Sequence, residues 1–193
     1  RTHAIEGADT FFVETDTASG ITMRFALSHA CAGQGSHVET VLCDKAVLDY
    51  VVGRHVEVRW ADGRVERTAL EPFDGLAENH LEYYRYLQGE SPRPATTLVD
   101  SRPFVALNDL AYVSSGRIAP IPAHLVSGVR DDQDQKDYLT VAGLAATVEQ
   151  FLGRGLWPGA NGWDREGGEV VAPAPDLPRL PGVIQAMAAG RAS

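Results

Sequence analysis

Side chains that could do chemistry gather most densely between Ser28 and His37: Ser28-His29-Ala30-Cys31, then Gly33-Gln34-Gly35, then Ser36-His37. Imidazole and thiolate are zinc ligands, and strand alternation puts His29 and Cys31 on one face, so a His-x-Cys…His metal site is one chemistry open to them. It lacks a fourth ligand and a standard spacing. A polar loop facing a substrate suits the residues better, because loops held on a rigid sheet often carry binding groups. A solvated hairpin loop is the competing reading. Gly33-Gln34-Gly35 lies between two predicted strands, so it is not a nucleotide-binding turn, and no Gly-x-Gly-x-x-Gly in a strand–turn–helix setting, Walker-type loop or Gly-x-Ser-x-Gly occurs.

Outside that loop, the chemistry competes with structural roles. His80 falls on the apolar stripe of a predicted helix, where a satisfied core histidine outweighs a catalyst; it remains a candidate substrate contact. Tyr83, Tyr84 and Tyr86 read as packing residues with bonded hydroxyls. Asp100 and Arg102 could pair on a ligand, yet helix capping already accounts for Asp100. Asp131, Asp132 and Asp134 lack the glycine and terminal glutamate of a calcium loop, so they read as a solvated run.

The elements that must position these groups follow from periodicity. Between Ala8 and Leu70 the chain reads as a succession of strands. Ile21, Met23, Phe25 and Leu27 alternate with Thr22, Arg24, Ala26 and Ser28, and shorter alternations recur at 38–43, 56–60 and 65–70. Ala18-Ser19-Gly20 supplies one turn, and Asp62-Gly63 predicts a type I′ hairpin. Short connections imply antiparallel pairing. Two amphipathic helices follow. Leu76, His80, Tyr84 and Leu87 line the first, which Gly89 stops; Phe104, Leu107, Leu110, Ala111 and Ser114 line the second, which is capped at Asp100 or Ser101, has Pro103 in its first turn and ends at Gly116. A third helix is expected over 136–152 and a last short one over 183–189, separated by a Gly- and Pro-rich stretch. The predicted fold is α+β: an open, mostly antiparallel sheet covered on one face by helices over residues 1–122, with an accessory helix and irregular tail over 123–193.

Composition narrows the function classes. The 193 residues are 44% hydrophobic and 22% charged, ordinary for a globular protein. A formal charge of −9, with no Lys/Arg cluster, argues against nucleic acid. No apolar run reaches bilayer length and no signal peptide opens the sequence, so no membrane partner is expected. Cys31 and Cys43 are expected to be free, buried thiols of a cytoplasmic protein. The sequence opens at Arg1 rather than methionine and is expected to be part of a longer chain.

Three strings carry a resemblance. Asp16–Leu27 (DTASGITMRFAL), the helix end Tyr86-Leu87-Gln88-Gly89, and Asp100–Gly116 (DSRPFVALNDLAYVSSG) resemble, in type and order, the C-terminal half of the Gfo/Idh/MocA oxidoreductases. The likeness covers residues 8–122. It implies an enzyme in which an N-terminal Rossmann domain, absent here, binds NAD or NADP and supplies the catalytic lysine. The present part would build a pocket for a sugar, polyol or related hydroxyl compound and a homo-oligomer interface on the open sheet face. By this resemblance the loop from His29 to His37 leans toward substrate, giving His29, Gln34 and His37 binding roles and no catalytic, metal or cofactor residues. The fragment alone is expected to be inactive. The alternative is a non-enzymatic module that binds a ligand or protein through the open sheet face.

Overall fold

The computed structural model describes residues 2, 7–30, 37–132, 135–161 and 171–189. In chain order these form β1 (Thr10–Asp16), β2 (Thr22–Ser28), β3 (Val38–Leu42), β4 (Ala46–Val51), β5 (His55–Trp60), β6 (Val65–Ala69), α1 (Gly75–Leu87), α2 (Leu98–Ser115), β7 (Val126–Asp131), β8 (Lys136–Val141), α3 (Leu144–Arg154) and α4 (Leu180–Ala189). The α+β class, the open antiparallel pairing and the helical C-terminal part are as expected. The strands, however, form three sheets: β1–β2, the meander β3–β4–β5–β6, and β7–β8. The chain divides into two compact units, residues 1–34 with 100–193, and residues 35–99. The division expected at residue 122 falls inside the first unit.

In the first unit the β1–β2 hairpin pairs Thr10 with Ser28 and Asp16 with Thr22. Its turn closes when the Gly20 N–H donates to the Thr17 carbonyl at 3.0 Å, with Gly20 at φ +82. The Asp62-Gly63 hairpin uses the same device and is not the type I′ turn predicted. That turn needs two central residues at positive φ, and only Gly63 (φ +89) has it; its N–H donates to the Trp60 carbonyl at 3.0 Å, so a three-residue turn ends on glycine. β4 pairs on both sides and shows little alternation, since Val47 and Leu48 are adjacent, as are Tyr50 and Val51.

Residues 136–152 are not one helix. Tyr138, Thr140 and Val141 favour strand, and β8 pairs with β7 from Asp131–Lys136 to Val126–Val141. Gly143, at φ +75, then separates the strand from α3. Helix α2 begins at Leu98, earlier than predicted, which moves Pro103 out of the first turn. It stops as expected at Gly116 (φ +65), whose N–H donates to the Tyr112 carbonyl at 2.9 Å.

The core lies in the first unit. Ala30, Ile121, Val141 and Leu144 cluster with Phe12, Leu125, Val126 and Val148 around them. The Val141 N–H donates to the Ala30 carbonyl at 3.1 Å, joining the two hairpins of this unit. Phe151, fully buried, receives Phe12 edge-on with ring centroids 5.3 Å apart and packs on Trp157 at 4.9 Å. On the opposite face of β1, Phe11 meets Tyr112 of α2 edge-on at 5.4 Å. The helical cover therefore falls on the β1–β2 hairpin, one side by α3 and the other by α2.

Helix α1 corrects an expectation. It forms where predicted, with the Asp74 carboxylate accepting from the Ala77 N–H at 3.1 Å and Gly89 at φ +77 just beyond its end. None of its residues is buried: Leu76 is 70% exposed, Tyr84 61%, and His80 is exposed as well. The spacing that makes a helix amphipathic does not specify what its apolar side meets, and His80 is no packed core histidine.

Phe151→Ala is expected to cost about 3–5 kcal/mol, the range for emptying a buried aromatic site. Phe104→Ala, on an exposed stretch of α2, is expected to stay within about 0.5 kcal/mol of wild type. Urea titration followed by circular dichroism measures both.

Candidate functional site

Among the described residues the first unit forms a groove of about 560 Å³. Its walls are β1, the C-terminal half of α2, residues 117–122, Trp157–Gly159 and residues 171–174. The volume suits a small organic ligand, for which pockets run about 300–1,000 Å³. Phe11, Val13, Leu107, Leu110 and Ile118 supply apolar surface, while Thr10, Thr15, Ser114 and Ser115 contribute hydroxyls and Glu14, Asp16 and Arg117 contribute charge.

Local structure explains why these groups meet. Strand alternation sends Phe11, Val13 and Thr15 to one face of β1 and Thr10, Phe12, Glu14 and Asp16 to the other. Helical periodicity puts Leu107, Leu110, Ala111 and Ser114 on one side of α2, all half-buried. Several polar groups are already engaged within the protein. Glu14 accepts from the Arg24 guanidinium, which also reaches the Leu152 carbonyl near the end of α3 at 3.5 Å. The Thr22 hydroxyl donates to Asp16 at 2.6 Å, the Ser115 hydroxyl to the Arg117 carbonyl at 2.6 Å, and the Ala8 N–H to the Tyr112 hydroxyl at 3.4 Å. The groove thus combines apolar surface with hydroxyl and carboxylate groups, a lining suited to a ligand that carries both apolar and polar groups.

His29, His37 and His80, singled out from the sequence, do not line it. His29 is exposed at the end of β2, where its N–H donates to the Asp9 carbonyl at 2.9 Å. His37 is exposed in the second unit, its Nε2 3.6 Å from a carboxylate oxygen of Glu39, a pair too solvated to hold much structure. His80 is on the solvent side of α1, also in the second unit. Gln34 and Cys31 lie outside the described residues. Cys43 is free, as expected, but exposed rather than buried. Among the described residues no three His, Cys, Asp or Glu side chains are grouped to hold a metal ion, and no helix is long and apolar enough to cross a membrane.

Sequence reasoning missed Thr10, Glu14, Ser114, Ser115 and Arg117. Of these, Ser114 and Ser115 fall in the Asp100–Gly116 string, whereas Thr10, Glu14 and Arg117 lie outside both strings, and about ninety residues of chain separate the two walls.

The four-stranded sheet of the second unit is two-faced. Cross-strand register aligns Thr40, Asp49, Glu57 and Arg67 in a row on one face, with Arg59 and His55 beside them. Arg59 holds Asp49 at 2.6 Å and Glu57 at 2.8 Å, and the Thr40 hydroxyl donates to Asp49 at 2.6 Å. Arg67 donates to His55 Nδ1 at 3.1 Å. Donation from Thr40, followed by that from Arg59 and the nearby positive charge, holds the Asp49 carboxyl below the usual carboxylate range despite its partial burial; the Glu57 and Asp49 carboxylates raise Arg59 further. The other face carries Val41, Leu48, Tyr50, Val56, Val58 and Trp60; Val41 is 55% and Tyr50 37% exposed.

Comparison with protein-family models, curated proteins and solved structures gives no match.

Because the folded pKa of Asp49 is depressed, its contribution to stability is complete above the ordinary aspartate pKa of about 3.9 and is lost as pH falls through the lower folded value. Thr40→Val removes the largest cause of that depression. Carboxyl-detected NMR titration is expected to show Asp49 moving up toward its ordinary value in the variant; an unchanged midpoint refutes the assignment.

Proposed function

We propose that this chain is the substrate-binding and oligomerisation part of an NAD(P)-dependent oxidoreductase of the Gfo/Idh/MocA type, acting on a sugar, polyol or related hydroxyl compound. One observation carries the reading. The Asp100–Gly116 string, which carries part of the resemblance, lines one wall of the groove through Leu107, Leu110, Ala111, Tyr112, Ser114 and Ser115, and the Asp16–Leu27 string reaches the facing β1 wall through Asp16 alone. A lining of apolar side chains together with hydroxyls and carboxylates suits a sugar or polyol, whose C–H groups pack on apolar surface while its hydroxyls find hydrogen-bond partners. In this reading the nicotinamide and the catalytic lysine belong to an N-terminal Rossmann domain outside this sequence, and the groove positions the carbon whose hydride moves. His29, His37 and His80 are not among the residues that line this groove, and the reading gives them no part in it.

A second reading, a non-enzymatic module binding through the sheet's open face, is favoured by the apolar surface at Val41 and Tyr50. The same surface is the proposed seat of self-association in the first reading. The two separate on turnover.

Assayed with NAD or NADP and a panel of neutral sugars and polyols, the chain alone is expected to show no nicotinamide-linked turnover, whereas a longer product carrying a Gly-rich turn upstream of Arg1 does. A longer product that lacks turnover on every compound of the panel refutes the enzyme reading. Val41→Lys is expected to lower the molar mass seen by light scattering from oligomer to monomer; a wild-type chain that is strictly monomeric at high concentration removes the oligomer from the proposal.

A further inference from the structure

The outer edge of β1 gives the groove a hydrogen-bonding wall that belongs to the main chain. At one end of the hairpin the Thr17 N–H donates to the Ile21 carbonyl at 2.9 Å, and at the other the His29 N–H donates to the Asp9 carbonyl at 2.9 Å. Antiparallel partners alternate between bonded and open pairs, so residues 9, 11, 13, 15 and 17 direct their amides at β2, while the residues between them turn theirs outward. All seven residues of β1 line the groove, although successive side chains point to opposite faces. What the seven share is the edge, and the groove runs along it. β1 has β2 as its strand partner on the other side, and the outward main-chain groups of Thr10, Glu14 and Asp16 make no hydrogen bond with a described residue. Thr10 and Glu14 are half-buried, where a polar main-chain group needs a partner from solvent or ligand.

We propose that this edge, at Thr10, Glu14 and Asp16, reads a neutral, hydroxyl-rich ligand through main-chain N–H and C=O groups. The inference rests on the substrate-binding reading above and specifies which atoms do the binding. Each outward residue presents one donor and one acceptor, and a hydroxyl both donates and accepts, so the two are complementary. A carboxylate or phosphate only accepts; it would face the carbonyls unfavourably and lie beside the Glu14 and Asp16 side chains. Those carboxylates each already accept a bond, from Arg24 and Thr22, and their remaining lone pairs add acceptors for ligand hydroxyls beside the main-chain groups.

The test titrates the ¹⁵N-labelled full chain with sorbitol as the neutral probe and gluconate as its acidic counterpart. Sorbitol is expected to shift the amides of Thr10, Glu14 and Asp16, and gluconate to bind more weakly. Glu14→Pro deletes an outward N–H without touching the β1–β2 ladder, whereas Glu14→Ala removes only the side chain. The proline variant is expected to bind sorbitol roughly five- to tenfold more weakly than the alanine variant, the worth of about one hydrogen bond. Should Glu14→Pro lose its strand signal in circular dichroism, Asp16→Pro against Asp16→Ala makes the same comparison at the strand's end. Equal affinity of the proline and alanine variants, or tighter binding of gluconate, overturns the edge assignment and leaves the substrate-binding reading standing. Absence of any sorbitol-induced shift in the wild-type groove overturns both.

Discussion

Burial of the Phe151 ring between Phe12 and Trp157 is the contact on which the rest of the first unit depends. A two-stranded ribbon is marginal in water by itself, so β1 and β2 persist because something covers them. Phe12 docks the hairpin on α3, Arg24 ties its outer strand to the end of that helix, and Phe11 docks the opposite face on Tyr112 of α2. Gly155 shows how close the fit is: at φ +68, a Cβ there would come within 2.9 Å of the Arg24 guanidinium. With both faces of β1 held, the outward main-chain groups of Thr10, Glu14 and Asp16 make no hydrogen bond with a described residue, and these residues line the groove.

The second unit rests on a different constraint. Its sheet has no buried aromatic of this kind, and the charged face is organised by Arg59 bridging Asp49 and Glu57 across adjacent strands. Pairs of this sort on a solvated face add little stability individually. They do favour one register, because a one-residue slip would exchange the charged and apolar faces. The apolar face leaves Val41 and, to a lesser degree, Tyr50 in contact with solvent.

Local signals in the sequence were legible where the physics is local. The β2 alternation, the glycine stops at Gly89 and Gly116 and the turn at Gly20 all depend on a few neighbouring residues, and all are present. Where two local readings compete, the outcome needed the rest of the molecule. Residues 136–141 fit a helix pattern continuing into α3, yet pairing with β7 makes them a strand. The apolar stripe of α1 suggests a packed His80, yet His80 is exposed and no residue of the helix is buried.

The candidate site was less legible than the fold. Histidines drew attention because imidazole chemistry is visible in a one-letter code, and they lie outside the groove that the structure forms. By itself the sequence determined the α+β class, the antiparallel pairing, most turns and stops, and a composition that argues against nucleic acid, since each follows from residue type and near-neighbour spacing. Tertiary structure alone decided that the strands split into separate sheets, that Phe12 packs on a buried ring while no residue of α1 is buried, and that residues about a hundred positions apart wall one groove. The reason is physical: hydrogen-bond periodicity acts within a few residues, whereas which apolar surfaces meet, and which strand edge stays open, is settled only when the whole chain competes for burial.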